Sequence, residues 1–436
     1  MFRTNSLKNI NLIGKYIYIL VYITLTQLSI IISGTLFSAY KNFGFASGLI
    51  SILLLIFAAL FFLRSEINQR KYDVLDYLLF FTILISFFLF IFKFSEIINH
   101  ELYISKISKF ITLEIILVLT VVLRSRFTEF RHKINALKLI TYSFIPIIVY
   151  GYIDFITYIS KNKLFGELLK LKRQNFRSLY VHYNQFSVII LILSIVVLYL
   201  ATVSKNKKER IFLFSYFGIL LFSMFLTFSR GGWVSLFISL LLFLFLIIKR
   251  NRNRIILASM SIALLVIIIT ISQFNGVKEI SEIMNPGTLL IRIQSDIDSI
   301  NHLLRNKSLL LSGYGFDLSY SPMSKIVSKT PGIPFIHNTY IYVMAEMGLP
   351  FTLLLFGTIL VGAFKDVPNI YRKKDVEERI MNFALISIVI GFLIRISTEV
   401  IWPAFDTWMQ IWFLFTLVFS IMSAKSGNEV SKTLYN

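Results

Sequence analysis

Long apolar stretches separated by short polar loops dominate this chain. Each stretch is close to the roughly 20 residues that a helix needs to cross a bilayer. The pattern predicts about twelve transmembrane helices, near residues 16–37, 44–63, 76–94, 108–123, 138–160, 184–203, 211–228, 232–248, 255–273, 338–364, 379–397 and 404–423. The predicted fold class is therefore an all-α polytopic membrane protein.

The predicted helices group into three segments. Residues 1–272 hold the first nine helices and a polar turn at 229–232. Residues 273–337 form a large loop, with few apolar runs and a helix predicted near 288–304. Residues 338–436 hold the last three helices and a polar tail. A connection as long as 273–337 in a compact membrane protein is usually functional.

Basic residues are concentrated in alternate loops. The chain has 44 Lys and Arg against 23 Asp and Glu, a formal net charge of +21. The positive-inside rule places the basic loops and both termini in the cytoplasm. The turn at 229–232, the loop 273–336 and His337 then face the opposite side. Basic residues spread through short loops indicate membrane topology rather than nucleic-acid binding.

The sequence contains no cysteine. Disulfides, thiolate metal sites and a cysteine nucleophile are therefore excluded. The first apolar stretch is long enough to span a bilayer and has no small-residue cleavage site, so we expect a retained anchor rather than a cleaved signal peptide.

The first candidate for chemistry is an arginine between two apolar helices. Arg230 follows Ser229 and precedes Gly231 and Gly232, which permit a tight turn and close approach of a ligand. An arginine at membrane depth costs roughly 2.5 to 3.5 kcal/mol, so it is rarely retained without a partner or a task. A planar guanidinium suits bidentate phosphate binding. The alternative is an interfacial anchor formed with Trp233.

The second candidate is His337, which opens a later apolar helix on the same predicted side as Arg230. An imidazole titrates near neutral pH and can act as a base. The alternative is a structural hydrogen-bonding role. The residues that accompany His337 are Gly313 and Gly315 in the preceding loop, and Asn338 and Tyr340 after it.

Further cations lie in the predicted outer loops. Arg292 and Arg305 belong to the long loop, where a solvated arginine is the usual interpretation. Arg173 and Arg177 belong to the basic segment 164–184, which has the pattern of an amphipathic interfacial helix. This segment is either a solvated or headgroup-bound connector or a further contact for a lipid-linked diphosphate.

Several acidic residues are candidates for metal binding or transport. Asp296-Ile297-Asp298 formally resembles the metal motif of nucleotide-sugar enzymes, but positions i and i+2 of a helix face different ways, so a metal role has little support. Arg395 and Glu399 have the spacing of a helix ion pair, which favours structural neutralisation. The intramembrane acids Glu114 and Asp154 suit interhelical hydrogen bonds or a proton pathway.

Three motifs occur together in a specific order and on one predicted side. They are residues 227–233, the Gly313-x-Gly315 loop, and His337-Asn338-x-Tyr340 followed by Glu346 and Gly348. The combination resembles the O-antigen ligase and polymerase superfamily of bacterial membrane glycosyltransferases. The resemblance covers most of the chain and implies a GT-C-like fold of about twelve helices with one large periplasmic loop between the ninth and tenth.

The resemblance also implies a reaction. The donor would be a glycan on undecaprenyl diphosphate, and the transfer would be metal-independent, cofactor-free and inverting. His337 would orient or deprotonate the acceptor hydroxyl. The diphosphate would be held by Arg230 and Arg292, with Arg305 as an alternative to Arg292 and with Arg173 and Arg177 as further contacts.

Which member of the superfamily this chain represents stays open. We predict a polymerase of lipid-linked repeat units for O-antigen or capsule, with a ligase that transfers the finished glycan to lipid A core or another acceptor as the alternative. A flippase or other transporter is the third class. Expected partners are the lipid-linked glycan, the acceptor and membrane lipids, with a chain-length regulator as a candidate. The predicted location is the bacterial cytoplasmic membrane, with the active site outside.

Overall fold

The computed structural model describes residues 73–100, 103–127, 129–161, 176, 183–248, 287–327, 336–370, 375–402 and 409–424. These residues form helices and the turns between them, and no strand occurs among them. The helices are α1 (Val74–Phe92), α2 (Phe94–Ile98), α3 (Tyr103–Arg126), α4 (Phe130–Ser143), α5 (Ile145–Lys161), α6 (Tyr183–Val203), α7 (Lys207–Leu226), α8 (Arg230–Ile247), α9 (Gly287–Arg305), α10 (Lys307–Ser312), α11 (Tyr320–Val327), α12 (Thr339–Phe364), α13 (Val367–Ile370), α14 (Val376–Ile396) and α15 (Met409–Ser423). The predicted all-α class is confirmed for this part of the chain.

Seven helical segments in the described ranges are long and apolar enough to cross a membrane. They are α1, the consecutive helices α4 and α5, α6, α7, α8, α12 and α14. The span predicted near 108–123 is helical but is not one of the seven, because Lys106, Lys109 and Glu114 interrupt the apolar sequence of α3. The spans predicted near 16–37, 44–63 and 255–273 lie outside the described residues. The total of twelve and the position of the long loop stay predictions.

Helix α6 is the centre of the described bundle. Every residue from Asn184 to Ala201 is buried, and the helix packs against α4, α7, α8, α14 and α15. A helix that is apolar on all sides is stable when other helices surround it. The first turn of α6 is therefore fixed in place by its neighbours.

Small residues bring α8 and α14 into close contact. A Cβ atom at Gly391 of α14 would lie 1.8 Å from Ser239 Oγ of α8. Helices in membranes associate through such small-residue interfaces because lipid provides no hydrophobic driving force between them. The contact places the start of α8 beside the end of α14.

Helix α12 is broken near its first third. Gly348 has a non-helical, left-handed φ of 78°, and Pro350 has no N–H to donate to the carbonyl of Glu346. The carbonyls of Ala345 and Glu346 instead accept hydrogen bonds from the backbone N–H groups of Tyr314 (2.8 Å) and Gly315 (3.0 Å). The loop before α11 therefore supplies the backbone donors that the broken helix lacks.

A buried charge cluster lies at the other end of the bundle. The Arg124 guanidinium is fully buried and contacts Asp73 Oδ2 (2.7 Å), Asp76 Oδ1 (3.0 Å) and the Ser423 carbonyl (2.9 Å). Lys365 pairs with Asp73 as well. Burial alone would raise the pKa of Asp73, but Arg124 and Lys365 hold that pKa well below its usual range. The cluster connects α1, α3, α12 and α15.

We expect Arg124→Gln to destabilise the protein strongly, because it leaves two carboxylates without their buried cation. Loss of one partner of a buried ion pair typically costs about 3 to 5 kcal/mol. Thermal unfolding in detergent micelles measures the change. Lys205→Gln is the control, since Lys205 pairs with Glu377 at 3.1 Å but is 89% exposed, and such pairs contribute about 1 kcal/mol or less. Equal losses of stability in the two variants would show that the buried pairs of Arg124 contribute no more than the exposed pair of Lys205.

Candidate functional site

A cavity of about 390 Å³ lies where α6, α8 and α14 meet. Its lining includes three arginines from different parts of the chain, Arg230, Arg292 and Arg395. Glu399 supplies a carboxylate, and Phe228 contributes to an otherwise largely apolar wall. The cavity therefore combines fixed positive charge with an apolar boundary, as expected of an anion site at a membrane surface.

The sequence 227–233 forms the sharp turn that begins α8. Phe228 adopts a left-handed φ of 51°, and the Ser229 N–H donates to Thr227 Oγ1 at 3.2 Å. Ser229 is the N-cap, since its hydroxyl oxygen accepts from the Gly232 N–H at 3.3 Å. Trp233 Nε1 donates to the Met224 carbonyl at 2.9 Å. The turn directs the N-terminus of α8, with its partial positive charge, towards the cavity wall that holds Arg230 and Gly231.

The two glycines of this turn are required by close packing. A Cβ atom at Gly231 would lie 2.7 Å from Thr398 Oγ1 and 3.0 Å from Arg395 Nη1. A Cβ atom at Gly232 would lie 2.8 Å from Ser187 Cβ. The glycines thus let the Arg395 guanidinium lie against the first turn of α8. The two glycines therefore allow neighbouring helices to come close to α8, and they also allow the chain to turn tightly.

Arg395 is part of the cavity wall and is only 1% exposed. Its Nη1 donates to Thr398 Oγ1 at 2.9 Å, and its Nη2 lies 3.9 Å from Glu399 Oε2. Its Nε is buried and has no hydrogen-bond partner in the part of the chain that the structure describes. The predicted ion pair with Glu399 is present but long, and it leaves donor capacity on the guanidinium.

A hydrogen-bond chain orients the polar groups behind the cavity. The Ser229 hydroxyl donates to Asn184 Oδ1 at 2.7 Å, and Asn184 Nδ2 donates to Glu399 Oε2 at 2.7 Å. Glu399 lies just beyond the end of α14, and burial raises its pKa while Arg395 acts in the opposite direction. The chain fixes α6, α8 and the end of α14 relative to one another.

The structure distinguishes Arg292 from Arg305. Arg292 lines the cavity, and its Nη1 donates to the Thr398 carbonyl at 2.8 Å. Arg305 is exposed and lies thirteen residues farther along the same helix, which corresponds to about 20 Å. Arg292 is therefore the arginine of α9 that reaches this cavity, and Arg305 does not line it. Arg173 and Arg177 lie outside the described residues.

His337 is half-buried and is not one of the described residues that line the cavity. Asn338, the residue after His337, contacts α9. Asn338 caps α12 by accepting from the Tyr340 N–H at 3.0 Å, and its Nδ2 donates to Asp296 Oδ2 at 3.2 Å. Asp296 lies one helical turn after Arg292. Asn338 and Asp296 thus connect His337 to α9, the helix that carries Arg292.

The remaining supporting residues have structural contacts. Gly313 has a left-handed φ of 67°, and a Cβ atom there would lie 2.2 Å from the Glu346 carbonyl oxygen, so it permits the loop to reach the break in α12. Glu346 is fully buried and accepts from Trp402 Nε1 at 2.8 Å. The Tyr340 hydroxyl donates to the Leu393 carbonyl at 2.9 Å. These contacts hold the start of α12 against α14.

The intramembrane acids that suggested transport lie away from the site. Glu114 of α3 accepts a hydrogen bond from Ser86 of α1, an interhelical bond of the kind expected for a polar group at membrane depth. Asp154 is exposed on α5. Neither residue lines the cavity that holds the arginines.

Residues 215–356 match the model of the Wzy_C family, described as O-antigen ligase. The match covers about a third of the chain and includes Arg230, Arg292 and His337. It supports the O-antigen ligase and polymerase superfamily that the motifs indicate. The seven apolar helical segments of the described residues agree with a multi-pass membrane protein. The comparison with curated proteins finds no match.

We expect Arg292→Gln to weaken the binding of inorganic pyrophosphate, because one charge-assisted contact in the cavity is lost. Loss of such a contact reduces affinity roughly ten- to a hundredfold. Isothermal titration of the protein in nanodiscs measures the affinity. Arg305→Gln, on the exposed end of the same helix, is the matched control and should bind as the wild type does. Similar affinities for the two variants would show that the cavity does not hold the anion.

The packing around Gly231 leaves no space for a methyl group. The Cβ atom of Gly231→Ala would displace the Thr398 hydroxyl and the Arg395 guanidinium, so we expect lower pyrophosphate affinity and a lower unfolding temperature. Gly218→Ala on α7 is the control, since nothing lies within 4 Å of a Cβ atom there, and alanine favours a helix by about 1 kcal/mol over glycine. Unchanged binding in Gly231→Ala would argue against a close fit at this turn.

Proposed function

We propose that this protein is a membrane glycosyltransferase that polymerises oligosaccharide repeat units carried on undecaprenyl diphosphate. The product would be a surface polysaccharide such as O-antigen or capsule. The observation that carries the proposal is the convergence of Arg230, Arg292 and Arg395 on one cavity. Arginines are suited to bidentate phosphate recognition, and three of them from separate helices form a preorganised site.

The charge of the cavity matches the proposed donor. Three arginines against the single Glu399 leave a net formal charge of +2 on the lining. A lipid-linked sugar diphosphate is a diester and carries two negative charges at neutral pH, which is of the same size and opposite sign. The donor would therefore neutralise a site that is otherwise costly to bury.

The same cations would assist bond cleavage. When the bond between the sugar C1 and the diphosphate breaks, the electron pair stays on the diphosphate oxygen and negative charge grows there. Positioned arginines and the N-terminus of α8 would stabilise that charge. They can supply the stabilisation that a divalent metal supplies in other glycosyltransferases. We accordingly propose a metal-independent transfer, with direct attack of the acceptor hydroxyl inverting the anomeric centre.

The acceptor would approach from the His337 side. His337 precedes Asn338, whose contact with Asp296 connects it to α9, and an imidazole can orient or deprotonate a hydroxyl near neutral pH. The acceptor sugar would then reach C1 from the face opposite the diphosphate, as inversion requires. A glycan acceptor gives polymerisation, and a chain-length regulator is a candidate further partner.

Charge placement supports an outward-facing site in the bacterial cytoplasmic membrane. Lys205 lies between α6 and α7, and Lys207, Lys208 and Arg210 lie in the first turn of α7, at the ends of these helices opposite the cavity. Loops rich in Lys and Arg are retained in the cytoplasm. The cavity would therefore open towards the periplasm or cell exterior.

The second candidate is a ligase that transfers the finished glycan to lipid A core or another acceptor. The matched family is described as O-antigen ligase. The two functions require the same diphosphate site and differ in the acceptor. An assay with different acceptors therefore distinguishes the polymerase from the ligase.

The decisive experiment incubates protein in nanodiscs with an undecaprenyl-diphosphate repeat unit in EDTA and resolves the products on a gel. A ladder is expected for a polymerase, and consumption only after addition of lipid A core would indicate a ligase. Arg230→Ala and His337→Ala should each lower turnover by roughly a hundredfold or more. Arg305→Ala is the control and should keep full turnover. Full turnover in both site variants, or no consumption with any acceptor, would contradict the proposed function.

A further inference from the structure

Glu399 is the one carboxylate among the described residues that line the arginine cavity. Its side chain is 12% exposed, whereas that of Arg395 is 2% exposed. Its Oε2 accepts from Asn184 Nδ2 at 2.7 Å and lies 3.9 Å from Arg395 Nη2. Its Oε1 accepts no hydrogen bond from a described residue and, unlike Arg395 Nε, is not fully enclosed by the protein. Oε1 is therefore the oxygen that a ligand in the cavity can reach.

Hydrogen bonds hold both the side chain and the backbone of Glu399 in place. Asn184, which orients Oε2, itself accepts from the Ser229 hydroxyl at 2.7 Å. Thr339 Oγ1 donates to the Glu399 carbonyl at 2.7 Å and accepts from the Ile401 N–H at 2.8 Å. A carboxylate that is fixed in advance loses little conformational freedom when it binds a ligand.

Glu399 lies between the cations of the cavity and the start of α12. On one side, Arg292 Nη1 donates to the carbonyl of the preceding residue, Thr398, at 2.8 Å. On the other side, Thr339, which bonds to the Glu399 carbonyl, is two residues after His337. In the proposed reaction, the transferred sugar has the diphosphate on one side and the acceptor on the other. Glu399 is therefore placed where this sugar would lie.

A carboxylate in an anion site suits a part of the ligand that is not phosphate. Like charges at close range are unfavourable, so the phosphate groups would bind nearer to the arginines than to Glu399 Oε1. A carboxylate offers only hydrogen-bond acceptors, and a sugar hydroxyl can donate. Hydrogen bonds to a charged acceptor are roughly twice as strong as neutral ones. The cavity, at about 390 Å³, is also within the roughly 300–1,000 Å³ of sites that hold small organic ligands.

We propose that Glu399 binds the sugar joined to the diphosphate of the lipid-linked donor, by accepting a hydrogen bond from one of its hydroxyl groups through Oε1. This inference rests on the proposed glycosyl transfer and names a sugar-binding residue for it. The arginines recognise the diphosphate, whereas Glu399 makes binding depend on the sugar. The contact would also hold the sugar C1 between the leaving diphosphate and the acceptor hydroxyl.

The test measures how much the sugar adds to the affinity for the donor. Isothermal titration of the protein in nanodiscs compares farnesyl-diphosphate sugars with the mixed farnesyl methyl diester of diphosphate. Both kinds of ligand are diesters with the same charge, so the arginines should bind them alike. A panel of glucose, galactose and their 2-acetamido derivatives identifies the sugar that the wild type prefers. We expect this sugar to bind roughly tenfold or more tightly than the methyl diester.

Glu399→Gln should remove most of this preference. Asn184 Nδ2 would keep the carbonyl oxygen of the glutamine at the Oε2 position, so the amide nitrogen would replace Oε1 and a donor would face the sugar. The affinity for the sugar diester should fall roughly tenfold relative to that for the methyl diester. Asp298→Asn is the matched control, because it also removes a carboxylate but Asp298 does not line the cavity. It should keep the wild-type preference.

The comparison of two ligands distinguishes sugar binding from a purely structural role. If Glu399 only balanced the charge of Arg395, Glu399→Gln would change the affinities for the two diesters by the same factor. Glu399→Asp provides a second variant, since it keeps the charge but shortens the side chain by one methylene group. It should leave the affinity for the methyl diester unchanged and lower the preference for the sugar.

Two results would overturn the inference. One is a wild type that binds no sugar of the panel more tightly than the methyl diester. The other is a sugar preference that persists in Glu399→Gln or, if this variant does not fold, in Glu399→Asp. The proposed function stands in both cases if Arg292→Gln weakens binding of the methyl diester. Wild-type affinity of Arg292→Gln for the methyl diester, or no binding of either diester, would instead count against the diphosphate site and the function that depends on it.

Discussion

The close approach of α8 to α14 is the constraint on which the site depends. Gly231 and Gly391 have no Cβ atoms at the points where the two helices meet, and any side chain there would collide with Thr398 or Ser239. Without this approach, the Arg395 guanidinium would not lie beside the first turn of α8. The close packing of small residues between these membrane helices thus brings Arg230 and Arg395 to the same cavity.

Much of this arrangement could be predicted from the sequence. The run of apolar stretches predicted the seven helical segments of the described residues that are long enough to cross a membrane, and an arginine next to two glycines between two of them marked the start of α8. His337 was identified because it opens an apolar helix. The helix predictions are confirmed where the signal is local, since helix length and capping depend on neighbouring residues. The roles of Arg230 and His337 stay predictions.

Other parts of the site depend on packing that no local pattern reveals. The spacing of Arg395 and Glu399 predicts a structural ion pair. Spacing along a helix does not show which cavity the end of the helix lines. The sequence left Arg305 open as an alternative to Arg292, and the placement of α9 brings only Arg292 to the cavity. The i and i+2 spacing of Asp296 and Asp298 argues against a metal site but does not show what Asp296 contacts. Its contact with Asn338 joins segments 42 residues apart in the chain.

The break in α12 has a consequence for biogenesis. A helix that enters the bilayer with unpaired carbonyls is unfavourable, because the hydrocarbon offers no donors. The donors for Ala345 and Glu346 come from Tyr314 and Gly315, which are synthesised before α12 but must fold back onto it afterwards. Integration of α12 is thereby coupled to correct docking of the preceding loop. A nascent chain with a misplaced loop would retain a poorly inserted helix, which the quality-control proteases of the membrane can recognise.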